Sequence, residues 1–210
     1  MEGGNQKKNV ECLNKELKDW NKANGVDSKI QGGLTVERLR PSKNTSGYPK
    51  LKAKAAATRH VARFSLWIAQ RWNSGSTHDE LKVAINEIIV RLYEMFATSS
   101  QFFTPKTDDE IFTLGGQLGE IYMRLYTEAA HNGERLWKMT PKVHLSQELL
   151  QYQCQVWGNP AYFWCYADED LVGQMIEIAA SCHVLTLSFT VITKWLVTAF
   201  DHDSEDEDDK

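Results

Sequence analysis

Residues 77–97 read Thr-His-Asp-Glu-Leu-Lys-Val-Ala-Ile-Asn-Glu-Ile-Ile-Val-Arg-Leu-Tyr-Glu-Met-Phe-Ala, with apolar residues recurring at helical spacing. Leu81, Ile85, Ile88, Leu92 and Phe96 share one face of a 3.6-residue repeat. Thr77 and Glu80 have the form of a capping box, in which the hydroxyl accepts an orphan backbone N–H and the carboxylate reaches back. Thr98 to Lys106, with Pro105, should end this helix. The pattern then returns: Thr107 and Glu110 form a second box, Asp108 and Asp109 suit the positive end of a helix dipole, and Asn132-Gly133 closes the run. Ile111, Leu114, Leu118, Ile121 and Leu125 are its buried stripe. Two long amphipathic helices with a short connection predict antiparallel neighbours in an all-α fold. Gly115, Gly116 and Gly119 lie inside the second helix, where they favour close helix packing over a phosphate cradle, which needs a loop leading into a helix N-terminus.

Upstream, Leu51 to Trp72 is alanine-rich, and Leu51, Ala55, Thr58, Ala62, Leu66 and Ala69 trace helical steps. Val10, Leu13, Leu17 and Trp20 predict a short amphipathic helix over 9–24, stopped by Gly25. Residues 26–48, rich in Gly, Ser, Asn and Pro, read as a long loop. Downstream of Pro141, Leu145, Leu149, Tyr152 and Val156 predict another helix, which Gly158-Asn159-Pro160 should stop. Leu171, Val172, Met175, Ile178 and Ala179 follow on a further helix, and the apolar stretch 184–200 fits helix or strand. The expected architecture is an irregular all-α bundle of five to seven helices. Its parts are an N-terminal helix and flexible linker (1–48), a helical domain (49–200) and a disordered acidic tail (201–210).

The composition, 42% hydrophobic and 25% charged with seven Trp, excludes a wholly disordered chain. Four cysteines, none in a CxxC pair, argue against a disulfide scaffold or zinc ribbon, and the polar start argues against a secretory signal, so an intracellular location is expected. Lys194 interrupts 184–200, which favours a buried terminal helix over a membrane span. No nucleophile elbow, local Cys and His signature or glycine-rich phosphate loop is present, and no catalytic residue is assigned.

The formal charge of −4 conceals an asymmetry. From Arg38 to Arg71 there are nine basic residues and no acidic one, whereas residues 201–210 are strongly acidic. On the helix, Arg59, Arg63, Trp67 and Arg71 follow one line. With Lys50, Lys52 and Lys54 they form a basic strip that could engage nucleic acid or an acidic protein surface, the ordinary alternative being a solvated helix face. The primary expectation is therefore a non-enzymatic helical binding module. His144 and Glu148, four apart, share a helix face; joined by Asp168, Glu169 or Asp170 they would suit a divalent metal with an open position, the only cofactor implied. The ordinary reading is a first-turn histidine and a solvated carboxylate. Tyr162, Phe163, Trp164 and Tyr166, near Trp157, could stack on bases or cover a partner, although aromatics beside Gly and Pro ordinarily pin a loop to the core. A third class, an assembly subunit packing its terminal apolar segment on another chain or a membrane, also fits the sequence.

Pro141-Lys142, His144-Leu145, Glu148-Leu149, Gly158-Asn159-Pro160, Phe163-Trp164 and Asp168-Glu169-Asp170 together resemble the terminal portion of uncharacterised, mobile-element-derived, transposase-like reading frames. Some such segments are similar to the closing helical part of RNase H-like transposases. That resemblance implies a metal-dependent phosphodiester enzyme or its degenerate descendant, with Glu169 or Asp170 as the counterpart of a last metal-binding carboxylate. No carboxylate-bearing strand set precedes Pro141, so the resemblance implies a remnant or accessory helical region that could contact nucleic acid, with strand cleavage by this chain alone not expected.

Overall fold

The computed structural model describes residues 3–26, 30, 32–39, 48–49, 51, 55–163, 175–176, 178–183 and 186–205, and the protein is all-α, with no strand among them. The chain forms two compact units, Met1–Phe163 and Trp164–Lys210. Within the first unit, parts of the segment read as a linker are buried.

In the first unit, α1 (Gly3–Ala23) starts six residues ahead of the predicted helix, and Gly25 follows it at φ +58°, the left-handed stop that glycine adopts at low cost. Residues 26–48 are more than a loop, since a short helix α2 (Val36–Leu39) lies within them. Ile30 and Leu34 are buried with Leu17 of α1 and with Ala57 and Phe64 of α3 (Ala55–Arg71). The Leu34 N–H donates to Asn14 Oδ1 at 3.0 Å, and Arg38 Nη1 donates to the Gly33 carbonyl at 3.1 Å. Buried apolar area is the main favourable term in folding, and these two aliphatic side chains tie the expected linker to the helices on either side.

The face that α3 buries also differs from the alanine stripe. Ala57 and Phe64 are buried, Val61, Trp67 and Ile68 are half-buried beside them, and Trp20 and Trp67 lie with ring centroids 5.9 and 5.8 Å from Phe64. Alanine spacing reflects helix propensity, whereas the direction in which a helix docks is set by its larger apolar groups.

α4 (Thr77–Thr98) and α5 (Pro105–His131) pack on each other, and α4 also packs on α3. Their predicted stripes are correct: Leu81, Ile85, Ile88, Leu92 and Phe96 are buried from α4, Ile111 and Leu125 from α5, with Leu114, Leu118 and Ile121 half-buried. Both predicted caps are displaced. Ser76, not Thr77, caps α4, its hydroxyl accepting from the Asp79 N–H at 3.2 Å. Asp79 accepts from the Ser74 N–H at 3.1 Å and from the Ser74 hydroxyl, and it pairs with Lys82. The Lys82 ammonium, followed by Ser74, holds its carboxyl well below the usual carboxylate range. Thr104, not Thr107, caps α5, and Pro105 opens α5 instead of ending α4, because proline at a first helical position sacrifices an N–H that has no intrahelical partner.

In the second unit, residues 178–180 are helical, and the helix-or-strand choice at 184–200 resolves to a helix, Leu187–Glu205. Residues 206–210 of the acidic tail lie outside the described residues. No helix among the described residues is long and apolar enough to cross a membrane.

Candidate functional site

The segment after Pro141 departs most from its sequence pattern. α6 (Pro141–Glu148) runs into a π turn, Leu149–Gln153, and then α7 (Cys154–Trp157). The Cys154 N–H donates to the Leu149 carbonyl, five residues back, so one extra residue is accommodated in the turn. Leu150 and Cys154 are buried against α4 and α5. The apolar residues whose spacing predicted this helix are mostly exposed: Leu145, Tyr152 and Val156 are open to solvent, and only Leu149 is partly covered.

Glycine on α5 explains the close approach. A Cβ at Gly115 would meet the Leu150 Cβ at 2.8 Å, and one at Gly119 would overlap the Gln147 side chain. Thus α6 and the π turn lie on α5 through Gln147, Leu150 and Cys154, in agreement with the close-packing role expected of these glycines.

Past α7 the chain is latched. Gly158 has φ +80° and ψ −148° and passes beside the Gln101 carbonyl. Asn159 is fully buried. Its Nδ2 donates to the Phe96 carbonyl at 2.8 Å and lies 3.2 and 3.4 Å from the Ser99 and Ser100 carbonyls. Its Oδ1 accepts from the Ala161 N–H at 3.0 Å, and its backbone N–H donates to Gln101 at 2.8 Å. A helix leaves its last carbonyls without intrahelical donors; here an amide sixty residues later supplies donors to the end of α4. The sequence reading of Gly158-Asn159-Pro160 as a helix stop was correct but missed this long-range role.

The latch holds an apolar display. Val156 and Trp157 are 67% and 66% exposed, and Phe102, Leu145, Tyr152, Tyr162 and Phe163 are each more than half exposed. Tyr162 and Phe163 therefore do not pin the loop to the core as expected; Pro160, buried, does so in their place. Trp164 and Tyr166 lie outside the described residues.

Beneath the display, Asp108 Oδ1 is buried with no hydrogen-bond partner among the described residues. Burial first, and the neighbouring Asp109 second, raise its carboxyl above the ordinary value. The Cys154 thiol is pushed up to about 12, chiefly by burial and then by Asp108. Asp108 thus costs stability once ionised: the folded form binds its proton more tightly, so stability falls as pH rises from the ordinary Asp value through the raised one. Asp108→Asn is expected to melt at higher temperature than the parent at pH 7, with the advantage vanishing below the ordinary Asp range. Thermal melts at several pH values check this.

Of the predicted metal set, His144 is exposed on α6, and Glu148, at the end of that helix, accepts from Gln153 Nε2 at 3.5 Å. Asp168, Glu169 and Asp170 lie outside the described residues, and no group of three or more metal-ligating side chains occurs among the described ones. Of the basic strip, Lys50, Lys52 and Lys54 also lie outside. Arg59, Arg63, Trp67 and Arg71 are on α3, but carboxylates absent from the local sequence arrive from other helices. Arg63 meets Glu94 at 3.7 Å, and Arg71 meets Glu16 at 3.4 Å while its guanidinium covers the Trp67 ring at 5.1 Å. Trp67 is half-buried and belongs to the core edge.

The sequence offered one signal for the outward face: the Gly115 and Gly119 spacing on α5 marks a surface for close approach, and its partner face is the one carrying Gln147 of α6 and Leu150 of the π turn. No protein-family profile matches this chain, and no curated protein or solved structure matches it.

Proposed function

We propose that the chain is a non-enzymatic helical binding module that receives a partner protein on the apolar face carried by residues 145–163. The supporting observation is the run of exposed Leu145, Tyr152, Val156, Trp157, Tyr162 and Phe163 on a backbone fixed by the Asn159 latch. Trp and Tyr dominate binding hot spots because they bury large areas while losing little side-chain freedom, and a rigid backbone lowers the ordering cost further. A photo-crosslinking residue at position 156 or 162 of the full chain in its native cell is expected to give discrete adducts that disappear with Trp157→Glu. Absence of adducts at both positions, with the protein folded, rejects the reading.

A second reading, nucleic acid or an acidic protein on the basic strip, has its own support. Arg63 and Arg71 are exposed, and solvent-exposed ion pairs such as theirs are worth only about 0–1 kcal/mol, so a phosphate or external carboxylate competes readily with Glu94 and Glu16. Affinity for a nucleic acid should then fall steeply with salt and fall again in Arg63→Gln/Arg71→Gln. A flat salt response rejects it.

A further inference from the structure

Residues 132–140 cross from α5 to α6 without regular structure, and Trp137, in their middle, carries two unfavourable features at once. Its φ of +54° makes it the one non-glycine residue with positive φ among those described. That conformation crowds Cβ against the following carbonyl oxygen, and an aromatic side chain has no local hydrogen bond with which to offset the cost. The Trp137 indole Nε1 is also buried, with no hydrogen-bond partner among the described residues. A donor in that position has given up water and gained nothing in exchange.

Apolar contact holds Trp137 in place. Its ring packs on the cluster of Leu81, Ile85 and Leu125 and stands edge-on to Tyr122, with centroids 5.8 Å apart. The Tyr122 hydroxyl donates to the Lys138 carbonyl at 2.8 Å, one residue further on. Swinging out would lose these contacts, but it would also let the backbone return to negative φ and the indole N–H reach water. A docked segment penalised in this way lies closer in free energy to its open form than the core beneath it lies to unfolding.

The stretch that follows adds little resistance. α6 buries no residue, and Thr140, before its first turn, makes no side-chain cap. Anchoring resumes at Gln147, whose side chain lies on Gly119, and at Leu150, which is buried. At the near end Gly133, at φ +69°, turns the chain out of α5.

We infer that residues 132–148 are a strap clasped by Trp137, which opens and recloses while α4 and α5 stay folded. An eight-residue helix is too short to persist alone in water, so α6 melts whenever the strap is undocked. Leu145 then leaves the face of residues 145–163, while Tyr152, Trp157 and Tyr162 stay beyond the anchor at Leu150. A partner touching Leu145 would hold the strap shut; that consequence rests on the function proposed above, whereas the motion itself is read in the isolated chain.

Hydrogen exchange of the full chain, resolved by amide, tests the motion. The amides of residues 145–148 are expected to exchange at least about a hundredfold faster than those in the middle of α4 and α5. Tyr122→Phe, which removes the hydroxyl bound to Lys138 and keeps the ring, should speed α6 exchange several-fold and leave the middle of α4 unchanged. Replacing Trp137 by benzothienylalanine, an indole isostere with sulfur in place of N–H, should slow α6 exchange about fivefold or more, because the unpaired donor is gone. Protection of α6 equal to that of the middle of α4 overturns the inference. So does a Tyr122→Phe variant that exchanges faster throughout the first unit, or an isostere that leaves α6 exchange unchanged or makes it faster. A missing crosslinked partner would bear on the face of residues 145–163 and not on these three results.

Discussion

Asn159→Asp is expected to lower the unfolding free energy of the first unit by about 3 to 5 kcal/mol at pH 7, although it changes only one atom of the side chain. The new oxygen would replace Nδ2, which faces the carbonyls of Phe96, Ser99 and Ser100, so donor is exchanged for acceptor among acceptors in a site with no exposure. The contact from the Ala161 N–H to Oδ1 is retained, which isolates the donor's contribution. Burial among carbonyl dipoles raises the pKa of the introduced carboxyl, so its folded form holds the proton more tightly than its unfolded form. The loss is therefore largest above the raised value and eases as pH falls through the carboxylate range. Urea unfolding at pH 7 and at pH 4 measures both parts. A variant as stable as the parent at pH 7 would mean that the amide bonds carry no net weight.

Gly158→Ala should be nearly as damaging, at about 3 kcal/mol or more, through two independent routes. At φ +80° and ψ −148° the backbone sits in a region essentially restricted to glycine. The added methyl would also meet the Gln101 carbonyl oxygen inside contact distance and the Phe102 ring at 3.1 Å. Because the obstacle is backbone, no rotamer change relieves it, and the loop before α5 must move away from Asn159. Hydrogen exchange should show loss of protection at the Asn159 and Ala161 amides ahead of those in the middle of α4. Uniform loss across the first unit would place the damage elsewhere.

Both predictions concern a segment whose outline the sequence carried and whose role it did not. Periodicity located α4 and α5 and their buried faces correctly, because stripes of leucine and isoleucine report burial directly. Caps were less legible: Ser76 and Thr104 stand one and three residues before Thr77 and Thr107, and all four carry hydroxyls, so composition alone does not choose between them. On α3, the alanine-rich spacing located the helix, and the face it buries is set by Phe64 and its half-buried neighbours Trp67 and Ile68. On α6, the π turn altered the phase of the helix, and no residue type announces such a turn. The basic strip looked uncompensated because Glu16 and Glu94 are distant in the chain, and distance in space is what periodicity cannot report.

The Asn159 amide reaches a carbonyl 63 residues earlier in the chain. Closing so long a stretch of chain is entropically costly and becomes favourable once the intervening helices, α5 to α7, have docked. During synthesis, then, the aromatic display cannot take shape while α5 is still emerging, and it waits until residue 159 has been made. Anything that recognises this surface thereby distinguishes chains in which Asn159 has closed onto α4 from those in which it has not.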